Sequence, residues 1–141
     1  MKKRLPLFCL LLSVIWFSGC SIQLVSSYDA KTLEQMERID QDIDRFYLTL
    51  QTQPESNRTY ALFSDQYLNI EVNIRSLERR QAMREKNEET LAQTKTLKAF
   101  WQQDMTSHKR QNSVSDFIIK RRMDQYQRLM KALIQGEMAK Q

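Results

Sequence analysis

Apolar residues recur every three or four positions along most of this chain. Met36, Ile39, Ile43, Phe46 and Leu50 are spaced 3, 4, 3 and 4 apart, the stripe of an amphipathic helix. Tyr60, Phe63, Tyr67, Ile70, Ile74 and Leu77 step 3, 4, 3, 4, 3, and Ile119, Met123, Tyr126, Met130 and Leu133 step 4, 3, 4, 3. Another face, Leu91, Leu97, Trp101 and Met105 with Phe100 beside it, is less regular. The pattern predicts four helices, at about 29–52, 59–84, 91–108 and 114–138.

End signals support these bounds. Asp29 is a plausible N-cap, and Glu34 follows near the positive end of the helix dipole. Gln53-Pro54 closes the first helix, because a residue before proline avoids helical geometry. Between 78 and 89 the only small apolar breaks in polarity are Ala82 and Met83. Arg79, Arg80, Arg84 and Lys86 suit a helix C-terminus, and Glu88 and Glu89 suit an N-terminus. A capping box over Thr90 to Gln93 fits the same reading, so a turn is expected at 86–89. Ser113 with Asp116 forms a second capping-box candidate, after a polar and basic loop at 107–113. Gly136 lies near an expected frayed end.

Past residue 19 the chain holds one proline, Pro54, and one glycine, Gly136. Sheets need turn residues every 8 to 12 positions, so a β fold is excluded. The expected fold is all-α, an antiparallel bundle of four helices in up-down-up-down order. Without a turn at 86–89, one helix of about 50 residues and about 75 Å would result. The fold would then be an elongated three-helix arrangement, its first and last helices on opposite halves of the long one.

The N-terminus follows a different pattern. Met1-Lys2-Lys3-Arg4 precedes an apolar run at 5–17 and then Ser18-Gly19-Cys20-Ser21. Cations, a short apolar stretch and small residues are the layout of a secretory signal peptide. The run is too short for a permanent membrane helix, which needs about 17 to 25 residues. Phe17-Ser18-Gly19-Cys20 resembles the lipobox of bacterial lipoprotein precursors, with Phe17 where that family prefers Leu. The resemblance implies a diacylglyceryl thioether on Cys20, cleavage before it and usually acylation of the new amine. Phe17, Ser18 and Gly19 would be the cleavage-site residues. Ser21 stands where Asp resembles an inner-membrane retention signal in enteric-type bacteria. Its presence therefore points to the outer membrane, inner leaflet, facing the periplasm. The inner membrane is the alternative. Two or three acyl chains, at about 0.8 kcal/mol per buried methylene, would hold the protein on the membrane.

These readings divide the chain into a signal peptide at 1–19, a lipidated tether at 20–27 and a helical domain at 28–141. Eight extended tether residues reach at most about 28 Å, which keeps the domain close to its membrane. Of 22 basic and 17 acidic residues, three basic ones lie in the leader. The rest stand at 19 against 17, near +2, too mild for a nucleic-acid binder. On that reading Cys9 would leave with the leader and Cys20 would be acylated, so no thiol would remain for a disulfide, a metal or catalysis.

Candidate chemistry is sparse. His108, the single histidine, lies beside Lys109 and Arg110 and reads as a solvated helix-end residue favouring the dipole. Haem has no Cys-x-x-Cys-His signature, and di-iron bundles need Glu-x-x-His twice. Asp40, Asp42 and Asp44 fail as a calcium loop, because Arg45 and Gln51 occupy the required Gly and Glu positions. No Gly-x-Ser-x-Gly elbow is present. Asn57-Arg58-Thr59 matches the glycosylation sequon by chance. No catalytic residue, metal or cofactor is therefore assigned.

The basic runs Arg79, Arg80, Arg84 and Lys86, and Lys109, Arg110, Lys120, Arg121 and Arg122, read mainly as helix-end and solvated charge. Their functional reading is contact with an anionic surface such as headgroups, lipopolysaccharide phosphates or peptidoglycan stems. The aromatics Phe46, Tyr47, Phe63, Tyr67, Phe100, Trp101, Phe117 and Tyr126 read mainly as core. Some of them could instead form a groove for a partner helix, and Tyr47 and Phe100 are the ones expected to be half-exposed. The expected function is a non-enzymatic, lipid-anchored interaction or structural module, with the membrane as one partner through Cys20. An envelope protein or peptidoglycan would be the other. The alternative is a small-molecule or lipid carrier with an apolar cavity inside the bundle.

Overall fold

The computed structural model describes residues 23–141. Phe17, Ser18, Gly19, Cys20 and Ser21, and with them the signal-peptide and acylation readings, lie outside the described residues. Four helices follow: α1 at Ala30–Thr52, α2 at Tyr60–Ala82, α3 at Glu88–Gln111 and α4 at Asp116–Met138. A single 3-10 turn, Glu55–Asn57, sits between α1 and α2. No strand occurs among the described residues.

Each helix packs against its neighbours in sequence, and α4 closes the ring against α1. Short loops between consecutive helices make this an antiparallel up-down-up-down four-helix bundle. A helix of 23 residues such as α1 is about 35 Å long, which sets the distance between the bundle's two ends.

The expected break in the middle of the chain is real. α2 stops at Ala82 and α3 starts at Glu88. Between them Lys86 takes a left-handed conformation, φ 54°, that reverses the chain without a glycine. The capping signals differ in detail. Asn87, not Thr90, is the N-cap of α3, and Thr90 lies inside the helix. Glu88 and Glu89 in the first turn favour the earlier start, because their charge meets the positive end of the dipole. α3 also runs three residues past His108, to Gln111, where left-handed Asn112 (φ 51°) ends it. Ser115, not Ser113, caps α4, its Oγ accepting the Ile118 N–H at 3.4 Å. Gly136 is helical, not frayed, because Glu137 beside it is anchored in the bundle.

The four stripes meet in one core. Met36, Leu50, Ile74, Leu77, Leu97, Trp101, Ile119 and Met130 are fully buried. Phe46 lies at its aromatic centre, with ring centroids of Tyr67, Trp101, Tyr47 and Phe63 at 4.5, 5.1, 5.2 and 5.9 Å. Mostly edge-to-face contacts suit the ring quadrupoles. Tyr47 is buried, not half-exposed as its position beside the stripe suggests, because its hydroxyl reaches a carboxylate inside the bundle. Phe100 is half-buried, as expected.

The end of the bundle beside residues 23–29 is closed by polar side chains. The N–H of Ser26 donates to the Lys86 carbonyl at 2.9 Å and its Oγ to Asn87 Oδ1 at 2.9 Å. Asn87 Nδ2 donates to Gln81 Oε1 at 2.9 Å, and Gln81 Nε2 to Thr32 Oγ1 at 3.2 Å. Thr32 in turn donates to Asp29 Oδ2, the N-cap of α1, at 2.7 Å. The segment before α1 is thus docked on the α2–α3 turn, with Ser26 buried.

Candidate functional site

At the opposite end the loops after α1 and α3 are laced together by Arg58. It is buried, with Nε donating to the Gln53 carbonyl at 2.9 Å and Nη1 to the Val114 carbonyl at 2.9 Å. Its Nη2 pairs with Asp116 Oδ1 at 2.7 Å. Its own carbonyl faces His108 Nε2 at 2.8 Å. A carbonyl can only accept, so Nε2 carries the proton and Nδ1 is left as the acceptor for the Tyr67 hydroxyl at 3.2 Å. His108 is therefore a buried, doubly bonded residue, not the solvated helix-end histidine that its basic neighbours suggest. Burial lowers its affinity for a proton, partly opposed by the bond to Arg58.

One turn deeper, Asp104 collects three donors. Tyr47 and Tyr126 give their hydroxyls to Oδ2 at 2.6 and 2.8 Å, and Arg122 Nε meets Oδ1 at 2.7 Å. Burial raises the Asp104 pKa, and the two tyrosines and Arg122 offset part of that rise. Burial also pushes Tyr47 and Tyr126 well above the usual phenol range, so both stay O–H donors.

Above this layer the α3–α4 seam, the sparsest of the four, opens into a cleft of about 400 Å³. Gln103 and Ser107 of α3 face Ile118, Arg121 and Gln125 of α4 across it. These polar or bulky side chains hold the helices apart where small apolar ones would let them close. Tyr47, Tyr67, Asp104 and His108 form the floor and Phe100 one wall.

The nine cations of the two basic runs separate onto the two ends. Near the N-terminal segment, Arg84 pairs with Glu137 at 2.9 Å and Lys86 Nζ bonds the Gln23 carbonyl. Arg80 reaches Gln35 Oε1 at 3.1 Å, while Arg79 is exposed. At the far end Arg122 is held by Asp104. Lys109, Arg110, Lys120 and Arg121 are exposed there and take no part in the ion pairs of that end. Lys109 Nζ lies 5.9 Å from the Tyr60 ring centroid, and Phe117, beside Lys120, is 70% exposed.

Asp104, Tyr126, Arg58 and the donors of the polar end were not legible as a site. A signal was present for some. Thr94, Leu97, Trp101, Asp104 and His108 are spaced 3, 4, 3 and 4, and all are buried. That line, not Leu91 to Met105, is the inner face of α3. No group of three or more metal-ligating side chains occurs among the described residues. No helix among them is long and apolar enough to cross a membrane. Comparison with protein-family models, curated proteins and solved structures finds no match to this chain.

Proposed function

We propose that this chain is a lipid-anchored, non-enzymatic module of the bacterial envelope. Acylated at Cys20, it would stand at the periplasmic face, on the outer membrane by the Ser21 rule, and present its far end to an anionic envelope partner. The observation that carries this reading is the separation of roles between the bundle's ends. One end holds the incoming chain through Ser26, Lys86 and Asn87. The other exposes Lys109, Arg110, Lys120 and Arg121, of which Arg121 lines the cleft. Exposed cations outside the fold's ion pairs steer and hold anionic surfaces such as a protein's carboxylates or peptidoglycan stems.

A non-catalytic role is supported by the state of the titratable groups at the cleft. Asp104 already accepts three donors, and both nitrogens of His108 are engaged. The carrier reading draws its support from the α3–α4 cleft, not from the bundle's centre, where Trp101 and Leu97 are fully buried.

Two measurements test the proposal. Mass spectrometry of the mature N-terminus should find acyl chains on Cys20, and Cys20→Ala should release the protein from the membrane fraction. A mature chain beginning elsewhere without fatty acid overturns the anchoring. Crosslinking in intact cells should recover an envelope component that the K120E/R121E double variant loses while keeping its helical content. Equal recovery by that variant removes the basic end from the function.

A further inference from the structure

We propose that the end of the bundle bearing the N-terminal segment rests directly on the phospholipid surface, with Leu24, Val25, Met83 and Met138 entering the headgroup region. This rests on the acylation of Cys20. The first argument is reach. Two residues separate Cys20 from Gln23, so an acylated Cys20 lies within about 11 Å of Gln23.

The second argument is rigidity. Residues 23–29 do not hang free from the bundle. Ser26 is bonded to Lys86 and Asn87. Lys86 Nζ returns to the Gln23 carbonyl, and Arg84 Nη2 to the Ser27 carbonyl. Lys140 Nζ reaches Ser26 Oγ at 3.0 Å and Asn87 Oδ1 at 3.1 Å. The backbone N–H of Asp29 donates to Glu137 Oε1 at 2.8 Å. A chain fixed at this end and pulled into a bilayer at Cys20 brings the whole end down with it.

The third argument is what that end exposes. Leu24 is 81%, Met83 79%, Val25 55% and Met138 47% exposed. Single exposed apolar residues are ordinary, but these four share the one end that the lipid would draw to the bilayer. The far end also exposes Leu62 at 66% and Phe117 at 70%, but it is a helix length away from Gln23, where the acylated residue joins the fold. The exposed charges around the four balance, with Lys31, Arg79 and Lys86 against Glu85, Glu88 and Glu89. The seating is therefore apolar and needs no anionic lipid. The bundle then holds its basic far end about 35 Å out, one helix length from the bilayer.

The test uses the full acylated protein reconstituted in phosphatidylcholine vesicles. Cys20 is blocked by its lipid, so Met83→Cys and, separately, Leu62→Cys on the opposite end can each carry one fluorophore. Both sites are exposed, and circular dichroism confirms the fold of each variant. Lipid-borne nitroxides should quench the label at 83 severalfold more than the label at 62. Equal weak quenching overturns the proposal and leaves this end for a protein partner, with the acyl anchor intact. Stronger quenching at 62 means the bundle is inverted. Purified protein without fatty acid on Cys20, seen by mass spectrometry, overturns the anchoring first and this seating with it.

Discussion

Arg84 grips Glu137 with both terminal nitrogens, Nη1 to Oε2 at 3.0 Å and Nη2 to Oε1 at 2.9 Å, across 53 residues of sequence. The Glu137 side chain is fully buried, and Lys140 Nζ adds a third charged donor at 2.8 Å. This pair ties the end of α2 to the end of α4. Glu137→Ala would leave two cations facing an empty buried site. It is expected to cost about 3–5 kcal/mol in denaturant unfolding, the range for breaking one side of a buried pair. Glu137→Gln keeps the shape and one acceptor and should cost less. A loss below about 1 kcal/mol for the alanine variant would place the pair among ordinary surface bridges.

The pH dependence of stability follows from His108. Burial, only partly opposed by the bond to Arg58, holds its folded pKa below the ordinary 6.5. As pH falls below that value, the unfolded chain takes up the proton before the folded one does. Stability is therefore full above 6.5 and lost as pH drops toward the folded value. His108→Gln keeps a donor for the Arg58 carbonyl and an acceptor for Tyr67. Denaturation midpoints measured between about pH 7.5 and 5.5 should fall for the parent and stay nearly level for His108→Gln. Parallel curves would remove His108 as the cause.

Glu137 acts in the same direction at lower pH. Burial raises its pKa, but hydrogen bonds from Arg84, Lys140 and the Asp29 N–H outweigh that and set it below the ordinary 4.5. Its contribution is present above 4.5 and lost as pH falls through the folded value. Glu137→Gln should flatten the acid limb of the stability curve. Asp104, whose pKa is raised by burial, works the opposite way, favouring the fold at low pH and losing that advantage as pH rises. Asp104→Asn should therefore steepen the overall loss of stability on acidification.

Trp101 fills the centre of the bundle and donates its indole N–H to the Tyr67 carbonyl at 3.0 Å. Trp101→Ala should cost about 3–5 kcal/mol, the cavity range for a large aromatic. Trp101→Phe should cost less, since the ring contacts with Phe46 and Tyr126 remain partly filled. Equal midpoints for the two variants would mean the neighbours collapse into the space.

Asn112 does two jobs at one turn. Its left-handed backbone, φ 51°, ends α3, and its Oδ1 accepts the first N–H of α2, that of Tyr60, at 2.9 Å. Asn112→Gly keeps the backbone and loses the cap, for about 1 kcal/mol or less. Asn112→Ala keeps a β-carbon in the left-handed conformation without the polar side chain that makes it tolerable for asparagine, at about 1–2 kcal/mol. Calorimetry should rank alanine clearly below glycine, and the reverse order would deny the strain.

Some of this architecture could be read from residue spacing alone, because a helix that buries one face must repeat every 3.6 residues. Met36 to Leu50 and Tyr60 to Leu77 declared themselves that way. So did the turn near Lys86, where basic and acidic residues meet as two helix ends would arrange them. Reading failed where a stripe kept its period but changed its chemistry. Thr32 lies four residues before Met36, Gln81 four after Leu77 and Glu137 four after Leu133, and all three are buried. A hydrophobic pattern stops being visible at such positions, although the helix face continues through them.

The sequence by itself determined that the chain is helical and the apolar line that α1, α2 and α4 present to their neighbours, because periodicity is a local property. Only the tertiary structure decided which polar residues are internal. Asp104 is 57 residues from Tyr47 and His108 is 50 from Arg58. A carboxylate or an imidazole can be buried only when partners from other helices satisfy it, and no local pattern records that meeting. The same holds for the cations: Arg121 and Arg122 are adjacent in the chain, yet one is solvent-exposed and the other is bound to Asp104. Their difference comes from a 100° step around the helix and from what α3 places opposite.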